Sequence, residues 1–148
     1  MRVYMLCAVL LAMLSRPLSA QGTDAGREGI LGEWVTAGGE SRIEIFLADS
    51  VTYAGRIVWL RDPLKEGKPV VDDKNPDEAL CGRPVMGLVL LRGFTYDGEG
   101  EWRGGKIYDP KSGNDYSAKM TLLDEKNLDL RGYVLLPLFG RTERWTRP

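Results

Sequence analysis

Short segments of alternating polar and apolar residues, separated by turn-forming residues, run through most of the chain. The clearest alternation runs from Tyr116 to Leu122, where every second residue is apolar. A period of two is typical of a strand with one buried face. Similar segments recur at roughly ten-residue intervals and predict about eight strands. No stretch has a sustained helical period, and consecutive hairpins favour an all-β, antiparallel up-and-down barrel.

Two segments depart from this regular pattern. Residues 62–84 are rich in turn formers and predict a long loop with one short helical turn around residues 76–83. The preceding strand, Val51–Arg61, is apolar on both faces, so we expect the long loop or another subunit to cover part of its outer face.

Later, a strand is predicted over Leu128–Leu135, after which Pro137 bends the chain.

The first residues have the pattern of a secretory signal peptide. Arg2 precedes an apolar run from Val3 to Leu14, and small residues end at Ala20. The run is too short to span a bilayer, and we expect no membrane span in the mature chain. We therefore expect the protein to be periplasmic or secreted. The predicted segments are a signal peptide over 1–20, a flexible N-terminal segment over 21–30 and one barrel domain over 31–148.

Removal of the signal changes the charge and the cysteine content. Of the 20 basic residues, Arg2 and Arg16 belong to the signal, so 18 face 21 acidic residues, a net charge of −3. Such a balance gives no electrostatic reason to expect nucleic acid or an anionic membrane as a partner. Cys7 also belongs to the signal, which leaves Cys81 alone and excludes an internal disulfide. We expect burial of Cys81 in preference to pairing between chains.

The residue types argue against catalysis and metal binding. The chain has no histidine, which excludes Ser-His-Asp and Cys-His nucleophilic sites and histidine-bearing zinc sites. Asp73, Asn75 and Asp77 present oxygens at alternate positions, as a calcium loop does. However, Glu78 and Pro84 stand where such a loop needs Gly and Glu. An Asx-type turn explains the same residues, and we predict no metal, no cofactor and no catalytic residue.

Several ordered motifs carry a resemblance to a known family. They are Gly32-x-Trp34, Gly55-Arg56-Ile57-Val58-Trp59, Asp73-x-Asn75-Pro76, Arg83-Pro84-x-x-Gly87, Trp102-x-Gly104-Gly105-x-Ile107-Tyr108-Asp109-Pro110, Arg131-Gly132-Tyr133, Gly140-Arg141 and Trp145-x-Arg147. With them, nearly all of the mature chain resembles the bacterial secreted family known as domain of unknown function 2147. The resemblance implies an exported, lipocalin-like barrel without an established activity. Trp34 with Arg144 or Arg147 also resembles the lipocalin arrangement in which an arginine stacks on the first-strand tryptophan, a contact favourable by roughly 0.5–2 kcal/mol.

Aromatic residues on the predicted strands suggest where a ligand would bind. Tyr53, Trp59, Trp102 and Tyr108 would form aromatic walls, and Arg92 would anchor the ligand by its charge. Between Trp102 and Tyr108, the pair Gly104-Gly105 either lets a ligand approach the backbone or forms a bulge, and the bulge is the favoured interpretation.

Three classes of function remain open at this point. The leading hypothesis is an exported, non-enzymatic protein that binds a small apolar or amphipathic ligand in its barrel. The alternative is a protein-interaction or self-associating module of the cell envelope, with which a homodimer is compatible. A histidine-free hydrolase, which would need two facing carboxylates, ranks third.

Overall fold

Consecutive antiparallel strands close into a barrel in the part of the chain that the computed structural model describes, residues 26–148. The eight barrel strands are β1 Gly32–Val35, β2 Ser41–Leu47, β3 Thr52–Leu60, β6 Val89–Tyr96, β7 Glu101–Asp109, β8 Asn114–Asp124, β9 Asn127–Tyr133 and β10 Gly140–Thr146. The loop between β3 and β6 contains a two-stranded hairpin of β4 Leu64–Lys65 and β5 Lys68–Pro69, and two 3₁₀ turns cover Ala37–Gly39 and Pro137–Phe139. The predicted all-β barrel of about eight strands is confirmed, whereas the predicted signal peptide lies outside the described residues.

The two ends of the barrel are covered by different segments. At one end, called the floor, lie residues 26–31 and the turns that follow β2, β6 and β8. Ile30 is fully buried there, and the Tyr53 hydroxyl donates a hydrogen bond to the carbonyl of Arg27 at 2.9 Å. At the other end, called the mouth, lie the long loop 61–88 and the connections after β1, β7 and β9. Among residues 26–148, no helix is long and apolar enough to cross a membrane.

Large aromatic side chains fill the floor half of the barrel. The buried aromatic residues there are Trp34, Tyr53, Phe94, Trp102 and Trp145. The Tyr53 ring meets the Trp102 ring edge-on, with 5.9 Å between ring centroids. Burial of each such side chain stabilises the fold by about 1.5–3 kcal/mol, so this cluster is the main apolar support of the barrel.

Bulges adjust the strands to this core. The β7–β8 register shifts between Trp102 and Gly105, and Gly104 has a φ of +75° that a side-chain-bearing residue rarely adopts. A Cβ atom on Gly105 would overlap with the ring of Phe94. The bulge interpretation of Gly104-Gly105 is therefore confirmed, and the missing side chain makes room for an aromatic ring.

Arg147 joins the last strand to the first. Its guanidinium lies over the Trp34 ring, 4.0 Å from the centroid. It also donates hydrogen bonds to the carbonyls of Leu31 at 2.8 Å and Gly29 at 2.7 Å. Burial lowers the pKa of Arg147, although the group stays a cation at neutral pH. The predicted stacking of an arginine on Trp34 is confirmed, with Arg147 as the partner.

The contacts of Arg147 are important because β1 and β10 have the fewest paired residues of any two neighbouring barrel strands. β1 and β10 share a single register pair, Val35 with Thr146, whereas β9 and β10 share seven. Backbone pairing alone therefore contributes little to closure between β1 and β10. Arg144, the other candidate, lies on the outer surface and forms an ion pair with Asp129 at 2.7 Å.

We expect Arg147→Ala to lower the free energy of unfolding by about 2–3 kcal/mol, because it removes a cation–π contact and four hydrogen bonds from a cation, two of them longer than 3.2 Å. Urea denaturation followed by tryptophan fluorescence measures this change. Arg144→Ala is the matched control, because its exposed ion pair should contribute little. Equal effects of the two substitutions would contradict a special role of Arg147.

Candidate ligand-binding cleft

The inner face of β8, β9 and β10 changes from bulky and apolar at the floor to small and charged at the mouth. Because the three strands pair in continuous register here, their inward residues form rows across the strands. From floor to mouth the rows are Leu122–Leu128–Trp145, Met120–Leu130–Glu143 and Ala118–Gly132–Arg141. The row nearest the mouth therefore lacks the bulky apolar side chains that fill the floor.

An open cleft of about 380 Å³ lies beside this last row. It is lined by Tyr116, Gly132, Tyr133, Val134, Leu138, Phe139, Gly140 and Arg141. Its volume is within the range of small-molecule sites, roughly 300–1,000 Å³. A Cβ atom on Gly132 would approach its nearest neighbours, Ile107 and Tyr116, only to 3.8 and 3.9 Å. Packing therefore does not require a glycine at this position.

The polar groups of the cleft have no partners within the described residues. Neither the Arg141 guanidinium nor the hydroxyls of Tyr116 and Tyr133 take part in a hydrogen bond or ion pair among residues 26–148. Glu143, one row below Arg141, forms no ion pair with it among residues 26–148. The pKa of Lys111 is raised mainly by its hydrogen bond to Glu40, and the charge of Glu143 adds to this effect. In the described part of the chain, Arg141 is thus a cation without an ion-pair partner, and it lines the cleft together with two phenol groups and an apolar wall.

At another part of the mouth, a buried carboxylate holds the long loop in place through hydrogen bonds. Asp72 is fully buried and accepts hydrogen bonds from the Tyr108 hydroxyl at 2.6 Å, Asn75 Nδ2 at 2.9 Å and Arg83 Nε at 3.1 Å. Burial raises the pKa of Asp72, but the three donors outweigh it, so the pKa lies below its usual value. Burial, together with the hydrogen bond to Asp72, raises the pKa of Tyr108 to about 12.

The rest of the long loop is organised by short local contacts. The side-chain oxygens of Asn75 and Asp77 each accept a backbone amide two residues further on at 2.9 Å, which confirms the Asx-type turns. In the segment predicted as one helical turn, the amides of Leu80 and Cys81 both donate to the Asp77 carbonyl, and these three- and four-residue spacings are those of a single helical turn. Among residues 26–148, no group of three His, Cys, Asp or Glu side chains could hold a metal ion. Cys81 is exposed, so the expectation of burial is wrong, because this part of the loop turns toward solvent.

The five residues predicted from the sequence as ligand contacts do not share one site. Tyr53 and Trp102 lie together at the floor. Tyr108 lies near the mouth, about 20 Å further along β7, where Asp72 holds its hydroxyl. Trp59 and Arg92 lie on the outer surface of the barrel. As ligand contacts these residues remain a prediction.

Bulges explain why Trp59 and Arg92 face outward. The β3–β6 register shifts twice between Tyr53 and Arg56, which turns Leu91 inward in place of Arg92. Arg92 instead pairs with Asp115 at 2.7 Å. A further shift in the β2–β3 register precedes Trp59, whose ring lies 5.3 Å from the Arg42 guanidinium. A simple period of two cannot foresee such shifts.

The cleft residues were missed for a different reason. Tyr133 and Arg141 occur in the family-like motifs, but neither was proposed as a ligand contact. The signal was present in β10, where Arg141, Glu143 and Trp145 alternate and therefore share one face. Because β10 has no bulge, that alternation alone places Arg141 above the buried Trp145.

Two buried donors at the floor also lack partners. The indole Nε1 atoms of Trp102 and Trp145 have no hydrogen-bond acceptor within the described residues. A buried indole N–H is usually hydrogen-bonded. These two groups therefore mark the floor positions that most favour an incoming acceptor, and Trp102 is among the predicted contacts.

Fold and cleft together define a lipocalin-like barrel protein with a ligand-sized cleft at its mouth. Residues 32–147 match the family described as "Uncharacterized protein conserved in bacteria (DUF2147)", and the chain belongs to this family. It is similar to the solved structure described as "Protein HP1028 from the human pathogen Helicobacter pylori belongs to the lipocalin family". The TM-score is 0.71 at 22% identity, over 80% of this chain and 82% of that chain, which supports the lipocalin-like fold. No curated protein matches the chain.

We expect Asp72→Asn to lower the free energy of unfolding by about 2–4 kcal/mol at neutral pH, because three donors lose their charged acceptor. The folded-state pKa of Asp72 lies below its unfolded value of 3.8, so its contribution is complete above that pH and is lost as the pH falls through the folded-state pKa. The difference between the two proteins should therefore shrink in acid. Urea denaturation across a pH series measures it.

Asp73→Asn is the matched control for this experiment, because Asp73 is the exposed neighbour of Asp72. Its effect on the free energy of unfolding should be small at every pH. A loss of stability on Asp72→Asn that does not shrink in acid would show that the charge of Asp72 is not its cause.

Proposed function

We propose that this protein is an exported, non-enzymatic binding protein of the periplasm or cell exterior. It holds one small amphipathic ligand with an anionic head group at the mouth of its barrel. The observation that carries the proposal is the cleft, where Arg141, which has no ion-pair partner among residues 26–148, stands beside two phenol groups and an apolar wall. Export is supported by the signal-peptide pattern over residues 1–20, and a lipocalin-like fold is suited to small-molecule binding.

The chemistry of the cleft indicates how such a ligand would lie. The Arg141 guanidinium offers a planar fork of donors that matches a carboxylate or phosphate, and charge-assisted hydrogen bonds are about twice as strong as neutral ones. Tyr116 and Tyr133 add hydroxyl donors near the head group. The apolar part would lie against Leu138 and Phe139, where each buried methylene contributes about 0.8 kcal/mol.

Other functions have less support from the residues that the structure describes. Asp72, the buried carboxylate, is held by three donors and its pKa is low, so it is poorly suited to act as a general acid or base at neutral pH. The outer face of β3, which lies in the segment Val51–Arg61 that is apolar on both faces, is partly covered. Ala54 is buried, and Trp59 carries Arg42 across its ring.

The test is titration of purified protein with a dansyl-labelled C11 fatty acid, and with its uncharged amide as a second probe. Arg141→Ala should weaken binding of the acid about tenfold or more, since it removes one charge-assisted contact. It should change binding of the amide much less. Arg144→Ala, on the outer face of the same strand, should leave both affinities unchanged.

A second variant tests the position of the probe. Gly132→Leu fills the cleft with a side chain at a residue where the backbone conformation allows it. Binding of both probes should then be lost while the thermal unfolding midpoint stays close to that of the unaltered protein. Probe binding that survives Gly132→Leu and Arg141→Ala together would overturn the proposal that the ligand lies in this cleft.

A further inference from the structure

The connection between β9 and β10 exposes an unusual run of apolar side chains. This apolar loop comprises residues 134–139, and its exposed fractions are 56% for Val134, 89% for Leu135, 58% for Leu136, 79% for Leu138 and 66% for Phe139. Five of the six loop residues thus expose large apolar side chains next to one another in the sequence, and concentrated apolar exposure of this kind usually marks an interaction site. Such a patch at the mouth of a barrel calls for a partner with an apolar interior.

We propose that the apolar loop docks the barrel on an anionic lipid bilayer, with its leucines and Phe139 inserted at the boundary between head groups and acyl chains. The docked protein lies on the membrane surface and does not span it. Docking needs no ligand in the cleft, so it stands independently of the proposed binding function.

Hydrogen bonds within the loop satisfy several of its backbone groups, which lowers the cost of moving the loop from water into a membrane. Three amide groups donate to carbonyls within the loop, those of Val134, Leu136 and Phe139. Pro137 has no backbone N–H and therefore needs no hydrogen-bond acceptor. Arg131 donates to the carbonyls of Pro137 at 2.6 Å and Leu138 at 3.4 Å, and so holds the loop in shape. Because unsatisfied backbone groups are costly in an apolar phase, this internal pairing lowers the cost of insertion.

The local charge is opposite to that of the whole chain. Residues 130–142 contain Arg131 and Arg141 and no acidic residue, whereas the chain beyond residue 20 has a net charge of −3. Arginines close to a membrane surface are attracted to anionic lipid, and tyrosine side chains favour the membrane–water interface. Arg141 and Tyr133 stand at the base of the loop, where head groups would lie. The negative net charge of the chain therefore does not apply to this end of the barrel, which is cationic and would face the membrane.

Leu135 supports a role beyond folding. It has a φ of +64°, in the left-handed region that disfavours a side chain such as leucine, and it is the most exposed residue of the loop. A glycine would relieve the backbone and remove the exposed apolar surface. Strained backbone is typical of functional positions. The Leu135 side chain therefore does not stabilise the free protein, whereas its burial in a bilayer would be favourable.

The size and shape of the loop favour a bilayer over a second copy of the chain. A stable dimer usually buries about 800 Å² on each partner across a broad surface. One projecting six-residue loop offers less than that and forms no flat face. A bilayer requires no complementary partner surface, since side chains of a narrow tip can enter between the head groups.

Docking would also bring the cleft to the membrane. Val134, Leu138 and Phe139 line the cleft as well as the exposed patch. With the loop inserted, the cleft would open at the level of the lipid head groups. An amphipathic molecule could then pass between bilayer and cleft without crossing water with its apolar part exposed.

The test is flotation of purified protein with vesicles of two parts phosphatidylcholine and one part phosphatidylglycerol, and with vesicles of phosphatidylcholine alone. The protein should float with the anionic vesicles and much less with the neutral ones. The double variant Leu135→Ser/Leu138→Ser should reduce the bound fraction about tenfold or more, since each buried leucine contributes strongly to partitioning. The control, Val51→Ser/Leu64→Ser, removes two apolar residues that are each 56% exposed away from the loop, and it should bind as the unaltered protein does.

Leu135→Gly keeps the test independent of misfolding. Its thermal unfolding midpoint should be equal to or higher than that of the unaltered protein, while its vesicle binding should fall. Absence of flotation with anionic vesicles, or equal flotation of both double variants, would overturn the proposal. So would a concentration-dependent dimer in sedimentation that the loop variants abolish, because the loop would then pair two copies. Dansyl-probe titration without vesicles reports separately on the cleft.

Discussion

The barrel depends on how its first and last strands are held together. Only one register pair joins β1 to β10, so the sheet would be open there if backbone pairing acted alone. Arg147 compensates by stacking on Trp34 and by donating to carbonyls of the segment that precedes β1. Closure at the floor thereby places residues 26–31 under the aromatic cluster, and it leaves the opposite end free to differ in shape and charge.

The two sides of the barrel differ in the regularity of their strand pairing. Most of the register shifts lie on β3, β6 and β7, and Gly105 lets the Phe94 ring fill the interior on that side. β9 and β10 pair in unbroken register, so their inward residues keep a strict alternation up to the mouth. That regular wall ends in Gly132 and Arg141, which is why the cleft lies there. The cleft position thus follows from where the strands are irregular.

The sequence predicted the features that regular spacing or strong local chemistry determines. The strand count, the turns and the stacking on Trp34 belong to this group. The prediction of Arg92 as a ligand anchor assumed an unbroken alternation along its strand, whereas the bulges that interrupt this alternation depend on the partner strands. Asp72 was overlooked as a buried anchor because its main partner, Tyr108, is 36 residues away. The first two residues of the apolar loop, Val134 and Leu135, were predicted as the end of a strand over Leu128–Leu135, since apolar residues normally indicate burial, yet β9 ends at Tyr133.

The contacts of Arg147 also bear on the order of folding. Its hydrogen bonds to Gly29 and Leu31 span 118 and 116 residues, among the longest sequence separations in the described chain. Contacts of such separation carry a large loop-closure entropy and form late. A chain that emerges with its N-terminus first can build its hairpins one after another, but it can join β1 to β10 only when nearly all of it is available. Completion of the barrel is therefore tied to release of the whole chain.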